Sequence, residues 1–276
     1  MKKITIIVPL HEYNEKYLKR ALDSIKIEEE FNEYYQILFI GPKTICKKAE
    51  KLAKQFLQFE IRVLENTETD FHTQVNKAVF DCVTPYFAIL EYDDKFTEIY
   101  FNVLQKYIQK HPEYSTILTV NEFINTKEEL VSFANEIALD PSFANEIGVV
   151  GLEELEVFMD FNCTGGLFKT EDFISLGGLK KSLKIAAWYE YLMRSAYKNK
   201  NIHVIPKIGY VHTVDRDDSY MSNIKNSISQ EDGKFLIETA RKEYFFKEDR
   251  NLTFDNAEDN TETLKSNGKT RKKTKE

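Results

Sequence analysis

Four short apolar runs frame the chain: Ile4 to Pro9, Tyr35 to Ile40, Glu60 to Leu64 and Tyr86 to Leu90. Each has the length and the branched or aromatic content of a strand. Between them the apolar spacing is helical, at Tyr17, Leu18, Ala21, Leu22 and Ile25, then from Ile45 to about Leu57, then from Gln74 to Cys82. Thr44 is placed to cap the second helix. Strands that alternate with helices form a mostly parallel sheet flanked by helices, because parallel neighbours need a crossover and a helix supplies one. The fold class expected is therefore α/β, with ligands along the carboxyl ends of the strands.

The fourth run stops at Glu91-Tyr92-Asp93-Asp94. Clustered carboxylates at the end of a buried strand repel one another and lose hydration. One reading is a divalent cation that takes the carboxylates and grips a diphosphate. The other is a helix start, with Asp93 or Asp94 capping a helix that begins near Phe96. The cluster alone does not choose between them.

That helix runs to Lys110, before His111-Pro112, and Ser115 to Phe123 reads as another strand. Ser132-Phe133-Ala134-Asn135-Glu136-Ile137 then recurs as residues 142–147, an offset too short for a solenoid and read as a local duplication in a tolerant loop. Gly165-Gly166 precede a short strand and serve either a close backbone approach to a ligand or a tight turn. Thr170 to Leu176 is a short helix ended by Gly177-Gly178, and Trp188 to Lys198 is an amphipathic one. A last strand, Ile202 to Val211, is interrupted by Pro206 and leads to His212 and a charged loop. A final helix spans roughly Asp232 to Phe246. Residues 1–248 make one domain, with halves at 1–110 and 111–248. Residues 249–276 form a polar tail, expected to be disordered, with a basic end.

The net charge of −7 argues against nucleic-acid binding by the body, leaving only the basic tail for it. The three cysteines, Cys46, Cys82 and Cys163, are scattered and lack zinc spacing, which suggests a reducing compartment. No apolar run has the length of a membrane span and no signal peptide opens the chain. A soluble cytoplasmic protein is expected.

The order of these pieces resembles a family-2-type glycosyltransferase of the GT-A (Rossmann-like) fold. Ile4-Thr5-Ile6-Ile7-Val8-Pro9, Tyr13-Asn14-Glu15 and Leu22-Asp23-Ser24-Ile25 match its opening, with His11-Glu12 or Tyr13-Asn14 in the Tyr-Asn place. Asn76-Lys77-Ala78-Val79 through Thr84-Pro85-Tyr86 to Glu91-Tyr92-Asp93-Asp94 follows its spacing without a gap. Gly165-Gly166-Leu167, Gly177-Gly178-Leu179, Tyr189-Glu190 to Arg194, and His212 with Ser219 complete the match, which covers residues 4 to about 220.

The resemblance implies a metal-dependent transfer of a sugar from a nucleotide diphosphate sugar, a UDP-sugar first, to an acceptor, with inversion. It implies Mn2+ or Mg2+ held by Asp93 with Glu91 and His212. Pro9, His11, Tyr13, Glu15, Asn76 and Tyr92 fall to the donor side. Gly165, Gly166 and Trp188 fall to the acceptor side, although Trp188 is equally a core residue. Glu91 stands where the family has the first aspartate of its motif, and Asp94 is a supporting catalytic carboxylate. Two departures stand out. Gly41-Pro42 replaces the aspartate that reads the base, which leaves Glu65, Asn66 or the first loop for that task. Ala187-Trp188 replaces the Glu-Asp pair that carries the catalytic base, which leaves Glu190 as the nearest carboxylate. These losses keep open a catalytically degenerate binding protein on the same fold. A nucleotidyltransferase is weaker, since no glycine-rich loop follows the first strand.

Overall fold

Strands β1 (Ile4–Pro9) and β2 (Tyr35–Gly41) are buried along their whole length, as their unbroken apolar sequence requires of strands covered on both faces. β1 pairs in parallel with β2 on one side and with β4 (Tyr86–Ile89) on the other. β2 in turn pairs in parallel with β3 (Glu60–Glu65), which forms the half-exposed edge. The crossovers are α1 (Glu15–Asp23), α2 (Lys43–Ala53) and α3 (Phe71–Phe80). This part of the sheet follows the expected alternation.

Beyond β4 the sheet is mixed. It continues through β5 (Lys95–Phe96), α4 (Tyr100–Lys110), β6 (Tyr114–Ile124), β7 (Leu130–Ala134), β8 (Val149–Val150), α5 (Leu152–Val157), β9 (Leu167–Lys169), α6 (Thr170–Ser175), α7 (Ala187–Tyr197), β10 (Asn201–Thr213) and α8 (Gln230–Lys242). The strand order is β3-β2-β1-β4-β9-β6-β10-β5, with β7 on β6 and β8 on β10. β9 runs antiparallel to both β4 and β6, and so joins the two halves. β10 is parallel to β6, while β5 returns antiparallel along β10. The result is a mixed α/β fold, a sheet flanked by helices.

The computed structural model describes residues 3–141, 143, 148–159, 161–216, 219, 223–224 and 227–245. The expected tail, and most of the second copy of the repeated hexapeptide, lie outside them. Among the described residues no helix is long and apolar enough to cross a membrane.

Several element ends differ from the sequence reading, each for a local reason. Asp70 accepts a hydrogen bond from Thr73 N at 2.7 Å, so α3 begins at Phe71 rather than Gln74. Thr44 does not cap α2, which starts one residue earlier, behind Pro42. Phe96 belongs to β5, where it pairs with Tyr210, and α4 starts at Tyr100. β10 passes through Pro206 because the register shifts between Ile205 and Ile208, which takes the proline out of the ladder.

Aromatic packing sets the floor of the sheet's carboxyl edge. Phe96 stacks on Tyr100 with ring centroids 4.0 Å apart and meets Tyr210 edge-on at 5.5 Å. Such pairs contribute about 0.5–1.5 kcal/mol each beyond their buried area. Gly165 has φ +73, and a Cβ there would lie 2.3 Å from the Tyr210 ring, so the Gly165–Gly166 turn is pressed directly against this floor.

Candidate functional site

β4 ends at Ile89, and the next residues turn across the sheet edge to reach β5 beside β10. The carboxylates of Glu91, Asp93 and Asp94 are carried on this turn, and the end of β10 supplies their partners. Asp94 is fully buried. Its Oδ2 accepts from the Tyr210 hydroxyl at 2.8 Å and bonds His212 Nδ1 at 2.7 Å, and its Oδ1 accepts from Thr213 N at 2.8 Å. The capping reading is thereby excluded for the described bonds: α4 is preceded by Ile99, with no side-chain cap.

Asp93 faces a different cation. Its Oδ2 accepts from Arg216, which is 4% exposed. The other guanidinium nitrogen donates to Glu12 Oε1 at 2.7 Å and to the Tyr92 hydroxyl at 2.6 Å. The guanidinium lies over the rings of Tyr17, at 4.7 Å, and Tyr92, at 5.3 Å. The Tyr92 hydroxyl itself donates to Glu12. The Asp93 carbonyl accepts from Arg20 and from Thr213 Oγ1, the latter at 2.8 Å, which fixes the turn's backbone.

Burial and crowding leave their mark on the titration of these groups. Glu91 is pushed up to about 8 by burial first and by Asp94 next. Asp93 is raised to about 6 by burial and by Asp94, against the opposing pull of Arg216. Burial pulls the His212 imidazolium down, but Asp94 above all, with Glu91 and Asp93, more than offsets it and holds His212 at about 10.

Ligand atoms of Glu91, Asp94 and His212 all lie within 4.8 Å of one another. Two carboxylates and an imidazole form an oxygen-and-nitrogen set that suits a divalent ion such as Mn2+. Glu91 and Asp93, raised by burial first and by Asp94 next, are groups whose charge such an ion would relieve. The donor set therefore fits a divalent cation.

The sequence matches no protein-family model and no curated protein. Its shape does find relatives. The 1–349 fragment of S. aureus TarS in complex with UDP-GlcNAc superposes with a TM-score of 0.64 at 16% identity, over 86% of this chain and 65% of that one. The same fragment in complex with UDP gives 0.57 at 14% identity, over 93% and 77%. The longer S. aureus TarS structure gives 0.56 at 16% identity, over 92% of this chain and 46% of that one. TarS is a glycosyltransferase of the GT-A fold. This chain has the GT-A fold. It spans 60% of the first TarS fragment's length, at a TM-score of 0.56.

On the GT-A frame the expected residues divide into groups. Glu91, Tyr92, Asp93, Asp94 and His212 come together at the turn, and His11 joins them edge-on to Tyr92 at 5.3 Å. Within this group Asp94 completes the three-residue set with Glu91 and His212, and Asp93 pairs with Arg216. Pro9 ends the buried β1. Tyr13 contacts Glu15 through its hydroxyl at 3.4 Å and carries Lys48 over its ring at 5.2 Å. Asn66 donates to the Glu68 carbonyl at 2.9 Å, beside Gly41, whose carbonyl accepts from Asn66 N. Both polar ends of Asn76 bond the backbone of Leu179 at 2.8 Å, so it clamps the turn after Gly178.

The remaining expected residues have structural surroundings. Glu190 is fully buried, not solvent-exposed as its helical position alone suggests. Its carboxylate is shared by Arg194 and Lys180, each at 2.8 Å, and accepts from the Tyr244 hydroxyl at 2.5 Å. Trp188 stacks on Phe168 at 5.3 Å and meets Tyr191 edge-on at 5.9 Å, inside an aromatic cluster with Phe173. A Cβ on Gly166 would lie 2.7 Å from the Leu118 side chain, so both glycines admit packed protein atoms.

Arg216, Glu12, Tyr210 and Thr213 were not singled out as site residues by sequence reasoning. The signal for Arg216 was the run Asp215-Arg216-Asp217-Asp218 just after His212, a basic residue set among acids at the end of a strand.

Proposed function

We propose that this chain is a divalent-cation-dependent glycosyltransferase that moves a sugar, by inversion, from a nucleotide diphosphate sugar to an acceptor. The observation that carries the reading is the clustering of Glu91, Asp94 and His212 at the turn where β4 leaves the parallel half of a GT-A sheet. The TarS complexes with UDP and UDP-GlcNAc make a UDP-sugar the first donor to test.

Glu91, Asp94 and His212 would hold Mn2+ or Mg2+, with Asp93 adjoining. The ion, when bound, offsets the negative charge that develops on a leaving diphosphate. The chain's own residues prepare that place. Thr213 N and the Tyr210 hydroxyl fix the Asp94 carboxylate in one orientation. Arg20 and Thr213 Oγ1 fix the carbonyl of Asp93, so the turn does not reorganise when charge arrives. Phe96, Tyr100 and Tyr210 exclude water from below. Gly41-Pro42 leaves no side chain to read the base at the end of β2, and Asn66 is the neighbouring polar group there. Glu190 has a structural part in this reading.

Thermal shift with UDP, GDP, dTDP and CDP, each with and without Mn2+, tests it on wild type and Glu91→Gln. A ligand at a hundredfold excess over its dissociation constant stabilises the native state by about 2.7 kcal/mol. A Mn2+-dependent shift with one nucleotide, lost in Glu91→Gln, is expected, followed by turnover of that nucleotide's sugars. No shift with any nucleotide overturns the assignment. The pairing of Asp93 with Arg216 favours a second reading, a binding protein on the GT-A fold, which predicts nucleotide binding without turnover.

A further inference from the structure

Asp93 already has a cation. Arg216 bonds its carboxylate, sits 4% exposed between two tyrosine rings, and has two further acceptors in Glu12 and the Tyr92 hydroxyl. A surface arginine that drifted against an acid would keep its water and most of its freedom. This one is desolvated and bonded by both terminal nitrogens. Its partners belong to the carboxyl edge of the sheet: Glu12 to the loop after β1, Tyr92 and Asp93 to the acid turn itself. Asp215 before it has φ +61, in the left-handed region that Asp adopts more readily than most residues.

We infer that Arg216 is an internal counter-ion that a divalent cation must displace from Asp93, so that this one arginine sets the metal affinity of the site. The inference rests on the reading of the acid turn as a cation-holding donor site. A divalent ion among Glu91, Asp94 and His212 adds two positive charges next to a carboxylate that shares its lone pairs with a guanidinium. Like charges in a site of low dielectric repel strongly. When Arg216 leaves, Asp93 gains a bare carboxylate, and Glu12 and the Tyr92 hydroxyl lose a donor. The turn does not collapse, because Arg20 and Thr213 Oγ1 still hold the Asp93 carbonyl. The chain thus has two mutually exclusive cations for one acid cluster. Metal entry is coupled to a movement of the Arg216 side chain.

Arg20 provides the control. It is also a positive charge at the turn, but it bonds the Asp93 carbonyl and Thr213 rather than the carboxylate. A mere change in the local field would respond to Arg20 as it does to Arg216. Displacement responds to Arg216 alone.

The experiment is Mn2+ binding by the full chain without nucleotide, read from the electron paramagnetic resonance signal of free Mn2+. Wild type, Arg216→Ala, Arg20→Ala and Glu12→Gln are compared, with folding checked by circular dichroism and UDP binding read by thermal shift in the same samples. Removal of a desolvated competing charge should tighten Mn2+ binding by about tenfold or more in Arg216→Ala, while Arg20→Ala, which unties the Asp93 carbonyl and Thr213, should give no gain. Glu12→Gln, which loosens Arg216 without removing it, should tighten binding by a smaller factor and carries the test if Arg216→Ala does not fold. Equal or weaker Mn2+ binding in both the Arg216 and Glu12 variants overturns the inference, as does an equal gain in Arg20→Ala. If UDP still binds in those cases, the donor-site reading survives. Absence of both Mn2+ and UDP binding in every variant overturns both.

Discussion

Glu190→Gln separates the two parts that Glu190 could play. In the structure its carboxylate accepts from Arg194 at 2.8 Å, Lys180 at 2.8 Å and Tyr244 at 2.5 Å, with no exposure to solvent. Glutamine keeps the shape and the bond from Tyr244. It removes the charge and presents an NH2 group to Arg194, while Lys180 keeps only a neutral oxygen. Hydrogen bonds to charged groups contribute about 1.5–3 kcal/mol each, and breaking a buried ion pair costs about 3–5 kcal/mol. Two facts reduce the loss here. Arg194 retains the carbonyls of Leu176 and Gly178, and Lys180 retains Glu243 at 2.9 Å. The expected loss is therefore near the lower bound, about 3 kcal/mol. At about 2–4 °C per kcal/mol for a domain of this size, the melting temperature should fall by about 6–12 °C. Urea unfolding gives the free energy and calorimetry the temperature. UDP affinity, measured below the transition, should not change. A variant that keeps its melting temperature and loses turnover would refute this reasoning and restore Glu190 as the proton acceptor.

Two other perturbations have outcomes the structure dictates. Gly165→Ala places a methyl group 2.3 Å from the Tyr210 ring at φ +73, so it should destabilise by about 2–4 kcal/mol from overpacking and strain together; a loss below about 1 kcal/mol in urea would show that Tyr210 moves freely. With pH, Glu91 is raised from 4.5 to about 8, and His212 from 6.5 to about 10, so the folded chain holds more protons than the unfolded one between pH 6.5 and 8. Stability of the metal-free protein should fall as pH rises through that window and fall less in Glu91→Gln, as urea midpoints at the two ends will show; a rise over the window would contradict the shifts.

The parallel half of the sheet was legible because its strands are apolar runs and its helices have regular spacing. The acid turn was legible for a related reason: charge at the end of a buried strand stands out against what surrounds it. The strand after Gly165-Gly166 was read, but its antiparallel insertion between β4 and β6 was not, since strand direction and partner leave no local pattern. Phe96 read as helical because its apolar spacing continues into α4, yet its pairing with Tyr210 comes from a strand more than a hundred residues away. Arg216 gave only a charge pattern, and its partners are spread over the loop after β1 and the turn after β4. A helix position alone made Glu190 read as solvent-exposed, whereas Lys180 and Tyr244 close over it from outside the helix. Interactions between distant segments leave no local trace in a single sequence.

The crossing of the acid turn from β4 to β5 also determines when the site comes into being. Among the described residues, the hydrogen-bond partners of the Asp94 carboxylate are Tyr210, His212 and Thr213, on the last strand of the sheet. A chain emerging from the ribosome can assemble β1 to β4 from contacts between near neighbours, but three carboxylates then stand at an open edge with nothing to organise them. Closure across more than a hundred residues is slow relative to local pairing. The ordered acid turn therefore requires β10 in place, and the parallel half of the fold by itself lacks the groups that hold Asp94.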